Sequence, residues 1–400
     1  MPLTLAERST LIAPSATLAM AAEAKRLKAE GVDVLDFALG EPDFDTPANI
    51  QEAAFKAVRT GQTHYTPPAG MPELREAIAA HYTQHHGLST KSAQTVVSNG
   101  AKHSLHNALM AVCGPGDEVI IPAPYWVSYS DLVKLTGATP VVVPTPEESG
   151  FKLTPDQFRS AVTPRTKVLM INSPSNPTGV VYSRPELEAL ADAVLETNAG
   201  VISDEIYEQL TYGDETPTCF ATLRPGLADR TVTISGVSKT YAMTGWRIGW
   251  AVAPLPVAKF MGDLQSQETS NPCSVSQWAA LEALTGPQDS VAAMKRQFAK
   301  RREYVLERVA ALPGVTCVPP GGAFYAYMNV SRHFGRTIGG QKVVDSTSFC
   351  LAALAQAHVA LVMGSAFGSE GYARLSFATS LTTIERGFEA LAKFLESSPR

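Results

Sequence analysis

The sequence predicts an α/β fold: a mostly parallel, seven-stranded, doubly wound sheet with a smaller α+β unit appended. Between about residues 94 and 253, short apolar β-branched runs alternate with longer amphipathic ones, as in β-α-β units around a sheet buried on both faces. Gly- and Pro-rich stretches, CGPGD (113–117), SPSNPTG (173–179) and GDETP (213–217), fall where such units need turns. Beyond residue 253 the texture changes to long helical periodicity and then to new strands.

Taken in order, TVVS (95–98) is the first strand and AKHSLHNALMAVC (101–113) the helix that follows it. DEVIIP (117–122) comes next, before the amphipathic YWVSYSDLVKLTG (125–137). TPVVVPT (139–145), TKVLMIN (166–172), AGVISD (199–204), DRTVTIS (229–235) and RIGWAVAP (247–254) complete the seven. The stretch 274–311 carries one Gly-Pro interruption and reads as a connecting helix pair. VTCVPPGGAFYAYMNV (315–330) and ARLSFATS (373–380) read as strands, and EALAKFLES (389–397) as a closing helix. The expected organisation is an N-terminal segment over 1–45 that packs with the smaller unit, a large unit over 46–284 and a small C-terminal unit over 285–400.

Composition bounds the function. With 400 residues, 45% hydrophobic and 18% charged, the chain can bury a large core without disulfides or metal. A net charge of -5 and a pI near 5.9 give no electrostatic basis for binding nucleic acid or an anionic membrane, so small molecules are the expected partners. Five cysteines without a C-x-x-C pair indicate a reducing compartment. Glu7 and Arg8 break any N-terminal apolar run, so neither signal peptide nor spanning helix is expected, and the expected location is the cytoplasm.

In an open doubly wound sheet, ligands bind outside the carboxyl ends of the strands. Those ends are chemically rich here: Ser98, Asn99 and Gly100; Asn172 and Asn176; Asp204, Glu205 and Tyr207; Ser235, Ser238 and Lys239. Ser98-Asn99-Gly100-Ala101 joins a strand to a helix start through small residues, either a plain β-α turn or a phosphate cradle of free N–H groups at the positive end of the helix dipole. Lys239, in SGVSKT with Arg247 eight residues on, is either a solvated turn lysine or a desolvated amine whose lowered pKa suits imine formation.

Rival motifs fail. SGVSKT lacks both glycines of a P-loop, and no G-x-G-x-x-G follows a first strand. No H-x-x-H, H-E-x-x-H or C-x-x-C suggests a metal, and His85-His86 reads as a solvated helix end.

Together, NPTG (176–179), SDEIY (203–207) and SGVSKTYAMTGWRIGW (235–250) resemble the class I aminotransferases of pyridoxal-phosphate fold type I. GEPDFDTP (40–47), YTPPAGMPELREA (65–77), PYWVSY (124–129) and RLSFATS (374–380) extend the match over nearly the whole chain, which is most similar to the bacterial aspartate aminotransferase branch.

The resemblance implies pyridoxal 5′-phosphate as cofactor, held covalently by Lys239, which also shuttles the substrate Cα proton. It implies that Asp204 pairs with the ring nitrogen, that Tyr207 and Asn176 hydrogen-bond the ring 3′ oxygen, and that Trp126 stacks on the ring unless it is a core aromatic. Gly100, Ala101, Ser235, Ser238 and Arg247 would hold the phosphate, with Tyr65 reaching that of a neighbouring subunit in a homodimer.

Arg374 would bind the substrate α-carboxylate, with the Gly40 backbone close to it. LQSQETSNPCSV (264–275) holds no basic residue to bind a distal carboxylate. Lys102 is similar to the lysine with that duty in the bacterial branch, its alternative being a solvated helix lysine. The implied reaction is amino transfer from L-aspartate to 2-oxoglutarate, with prephenate or aromatic transamination as the alternative. The prephenate subtype carries a basic residue just before PSAT, where this chain has Ala13. A non-catalytic regulator is disfavoured, because no helix-turn-helix precedes the fold.

Overall fold

Local signals start the helices where the sequence places them. In this computed structural model, which describes residues 3–12 and 14–397 apart from the side chain of Glu7, Ser15 opens α1 (Ala16–Ala29) by accepting from the Leu18 N–H. The chain then forms β1 (Leu35–Asp36), α2 (Ala48–Arg59) and α3 (Pro72–His81). A π-helical turn, Tyr82–His86, continues α3 and closes on the left-handed Gly87.

The large sheet follows as β2 (Thr95–Ser98), β3 (Glu118–Ala123), β4 (Thr139–Pro144), β5 (Thr166–Asn172), β6 (Gly200–Asp204), β7 (Thr231–Gly236) and β8 (Gly249–Val252). Between these strands run α4 (Ala101–Val112), α5 (Tyr129–Leu135), α6 (Pro155–Ala161) and α7 (Arg184–Leu195). The last two begin alike, with proline in the first turn and a capping box, Thr154 with Gln157 and Ser183 with Glu186. All seven predicted strands are present.

Their order is β2-β8-β7-β6-β5-β3-β4. The pairs β2/β8 and β8/β7 are antiparallel and the other four parallel. Every residue of β2, β7 and β8 is buried, as helices on both faces require, whereas the edge strand β4 has no buried residue.

Register then aligns the functional edge. Asn172 pairs with Asp204 and Asp204 with Ile234, while Ser98 and Gly236 both pair with Gly249. Because β8 runs against its neighbours, it starts where β2 and β7 end. That reversal delivers Arg247 to the same edge as Gly100 and Lys239.

The remainder is α8 (Leu255–Glu268), α9 (Ser274–Thr285) and the long α10 (Asp289–Ala311), the last two separated by the predicted break at Gly286. After them come β9 (Thr316–Cys317), β10 (Tyr325–Asn329), β11 (Thr337–Ile338), β12 (Gln341–Lys342), α11 (Ser346–Ala357), β13 (Val359–Ala360), β14 (Val362–Met363), β15 (Tyr372–Ser376) and α12 (Leu381–Glu396). A second, antiparallel sheet has the order β14-β15-β10-β9. β1 pairs with β13, so the N-terminal segment docks beside this sheet.

Candidate active site

The carboxyl edge of the large sheet opens into a cavity of about 280 Å³ whose wall includes Gly40, Ala101, Lys102, Trp126, Asn176, Asp204, Tyr207, Ser238, Lys239, Arg247 and Arg374. The structure thus brings together eleven of the fourteen residues that sequence reasoning placed in the site.

Lys239 donates from Nζ to the Gly40 carbonyl at 2.6 Å. Burial disfavours its charged form and lowers its pKa from 10.5 to about 8, so the neutral amine is accessible near physiological pH. Gly40 has no room for a side chain, because a Cβ would lie 2.5 Å from the Tyr325 hydroxyl.

Asp204 ends β6 with its carboxylate buried. Tyr129 donates to Oδ2 at 2.6 Å and the Ile206 N–H to Oδ1 at 3.2 Å. Burial raises the carboxyl pKa to about 6, against the pull of those donors and of Lys239, so the group is still ionised at neutral pH. Tyr129 lies three residues after Trp126, and their rings meet edge to face at 5.5 Å.

Arg374, from the middle of β15, is 2% exposed. Nη1 donates to Asn176 Oδ1 at 2.9 Å and Nη2 to the Ala38 carbonyl at 2.7 Å, while Nε is buried with no partner among the described residues. Its guanidinium sits 4.5 Å from the Tyr325 ring centroid. The Tyr325 hydroxyl in turn lies 2.8 Å from that of Tyr207. No carboxylate pairs with this buried cation among the described residues. Its charge is left for an anionic ligand.

The turn before α4 lies against a guanidinium. Gly100 takes φ 85°, and a Cβ there would lie 2.5 Å from Arg247 Nη2. Arg247 stays beside the turn by donating from Nη1 to the Thr244 carbonyl at 2.8 Å. The start of α4 at Ala101, Ser238 and the Arg247 side chain therefore line the same cavity. Lys102 lies at the rim with Nζ 4.9 Å from the Trp126 ring centroid. Burial and the nearby Arg247 charge lower its pKa.

Three predicted residues stand outside the cavity wall. Gly100 lies directly behind it, packed on Arg247. Ser235 is buried and its hydroxyl donates to Glu208 Oε1 at 3.2 Å. Tyr65 is 90% exposed and remote from this chain's own cavity.

Sequence reasoning missed Ser15, Thr17 and Leu18 at the mouth and Tyr129 and Tyr325 in the wall. The Trp126/Tyr129 spacing was the available signal for one of them. His86 is a correction: its side chain is 8% exposed and lies beside Glu208, so only His85 is a solvated helix-end histidine.

A small anion that reacts with an amine suits such a pocket, and the class of protein so defined is an α/β enzyme. Residues 32–391 match the family model described as aminotransferase class I and II, and the chain belongs to that family. It is 48% identical over 378 residues to an aspartate/prephenate aminotransferase of Cereibacter sphaeroides, covering 94% of each protein. It is 47% identical to an aspartate aminotransferase of Geobacillus stearothermophilus, covering 98% of this chain and 99% of that one. Among solved structures, the aspartate aminotransferase from Thermus thermophilus with maleate superposes with a TM-score of 0.93 at 41% identity, over 98% of this chain and all of that one.

Proposed function

We propose that the protein transfers the amino group of L-aspartate to 2-oxoglutarate, giving oxaloacetate and L-glutamate, in two half-reactions that share one pocket and use pyridoxal 5′-phosphate. The observation that carries this reading is that, beside Lys239 and Arg247, the cavity holds two further basic side chains, Arg374 in its buried wall and Lys102 at its rim. A dicarboxylic amino acid has an anion for each. The relatives named as aspartate aminotransferases, one of them solved with maleate, support it.

The residues present fit the cofactor. A phosphate matches the turn whose Gly100 leaves space for Arg247, and the buried carboxylate of Asp204 matches a protonated ring nitrogen. Lys239 would hold the group, with Ala101, Ser238 and Arg247 on its phosphate, Tyr207 and Asn176 on its ring oxygen and Trp126 on its face. When bound, it supplies an electrophilic carbon and a ring that takes up the electrons left at Cα.

This chain's residues do the rest. Arg374, oriented by Asn176 and the Ala38 carbonyl, fixes the α-carboxylate and with it the direction of the Cα–H bond. Lys239, whose lowered pKa of about 8 makes a neutral amine available, takes that proton at Nζ and holds it within the pocket. Tyr129 and the Ile206 N–H hold Asp204 ionised and immobile. Lys102 selects the second carboxylate.

The same reading divides the chain into an N-terminal segment (1–45), a cofactor-binding unit (46–284) and a small unit (285–400). It makes the enzyme a cytoplasmic homodimer, with exposed Tyr65 serving the partner's site. No helix among the described residues is long and apolar enough to cross a membrane, which is consistent with this location. Prephenate is the second amino acceptor to consider, since the Cereibacter relative is named for both activities. Ala13, the position that separates the subtypes, lies outside the described residues. The test is a panel of amino acids and oxo acids in single-turnover half-reactions followed by absorbance. Oxaloacetate release from aspartate supports the reading, and reaction only with aromatic donors overturns it.

A further inference from the structure

Away from the cavity, the end of α3 meets the turn that follows β6. There His81, His86 and Glu208 place one ligand atom each within 4.8 Å of one another. We infer that these three side chains form a binding site for a divalent transition metal of the zinc class, with water completing its coordination.

The backbone supplies the first argument. In an α-helix, residues five apart lie about 140° apart around the axis, which would send two histidines to different faces. Here Gly87 N–H bonds to the Tyr82 carbonyl, an i→i+5 closure, and the widened turn brings His81 and His86 together, with ring centroids 5.4 Å apart. Both rings then face a carboxylate from another element.

Hydrogen bonding supplies the second. Glu208 is 5% exposed, and His86 Nε2 lies 2.8 Å from its Oε2. Even so, neither Oε2 nor His81 Nε2 has a properly directed hydrogen bond, although both atoms are buried. His81 Nε2 is 3.7 Å from Oε1, close to the edge of about 3.4 Å that a tetrahedron of zinc–nitrogen and zinc–oxygen bonds requires, whereas His86 Nε2 at 2.8 Å from Oε2 is at ion-pair distance and must open to that edge when a cation enters. A cation at the centre satisfies all three groups at once. Ser235, donating to Oε1, is the outer partner that orients a ligating carboxylate.

The contrast with His103, His106 and Glu268 sharpens the assignment. In that cluster each ring Nε2 is hydrogen-bonded to its own Glu268 oxygen at 3.3 Å, so no group there lacks a partner. Two imidazoles and one carboxylate are a donor set for zinc, cobalt or nickel rather than for calcium or magnesium. The metal would staple α3 to the turn that carries Tyr207, making it a structural ion outside the reaction.

The test uses the holoenzyme, treated with chelator, desalted and titrated with Zn²⁺ by calorimetry and with Co²⁺ by visible absorption. The expected result is saturable uptake of one ion per chain, with a rise in melting temperature. His81→Ala and His86→Ala should each weaken uptake by at least about tenfold and abolish the rise, while His106→Ala leaves both intact. His81 is the more exposed ring, so its variant keeps the test valid if His86→Ala does not fold. Absence of stoichiometric uptake overturns the assignment, as does uptake that survives both histidine substitutions.

Discussion

Arg374 Nη1 donates to Asn176 Oδ1 at 2.9 Å, a contact that ties the middle of β15 to the loop after β5. Both groups belong to the proposed α-carboxylate site, which every amino-acid substrate must use. Arg374→Ala is therefore expected to weaken all amino donors about equally, by on the order of 2–5 kcal/mol in kcat/KM. Steady-state comparison of aspartate, alanine and phenylalanine checks it. A loss confined to dicarboxylates would reassign Arg374 to the side-chain pocket.

Lys239→Ala should abolish turnover yet leave the cofactor bound noncovalently, because the phosphate and ring contacts do not involve Nζ. Stability should move the other way. The folded-state pKa of about 8 lies below the usual 10.5, so the cost of burying the ammonium is fully present below pH 8 and fades as pH rises toward 10.5. The Lys239→Met apoprotein should be more stable than the parent at neutral pH by on the order of 2–3 kcal/mol, with the gap closing above pH 10. Denaturant melts across that range measure both signs.

Asp204→Asn should lower the rate by orders of magnitude through loss of the charge that holds the ring proton. Here the folded pKa of about 6 lies above the usual 3.8. The cost of burying the carboxylate is therefore present above pH 6 and disappears as pH falls toward 4. Apoprotein melting temperatures should favour the variant at pH 7 and converge with the parent near pH 4. The Tyr129 hydroxyl can turn to accept from the new amide, at the cost of the acceptor its own O–H has in the parent. An unchanged rate would reduce Asp204 to a strand-end carboxylate.

Lys102→Ala should cut kcat/KM for aspartate and glutamate at least about tenfold while sparing alanine and phenylalanine, about 1.4 kcal/mol of lost charge pairing. Its ammonium lies over Trp126, 4.9 Å from the ring centroid, so loss of this contact contributes a small uniform effect on all substrates. Equal losses for all four amino acids would remove Lys102 from specificity.

Much of the architecture was legible because the signals are local. Apolar runs such as TKVLMIN become strands whatever surrounds them, and Ser183 with Glu186 marks a helix start within four residues. Direction was not legible, since WAV reads alike either way, and only pairing shows that β8 is reversed. Side-chain facing was harder still. Ser235 and Ser238 are equivalent in SGVSK, yet one meets Glu208 and the other the cavity. His86 reads as solvated because it stands at a helix end, and the π turn instead sets it beside Glu208. Tyr325 was invisible as a site residue, since its partners Tyr207 and Arg374 are distant in sequence.

The reversed strand also sets a timetable. β2 has a single neighbour in its sheet, β8, whose residues are made long after it. At about 5–20 residues per second on a ribosome, the turn at Gly100 waits on the order of ten seconds for the strand that carries Arg247 to its side. The Ala38 carbonyl waits longer, because its partner Arg374 follows 336 residues after it. Assembly of the cavity is thus postponed until Arg374 has been made, and a chain interrupted before it has every strand of the large sheet but lacks the buried cation of the cavity wall.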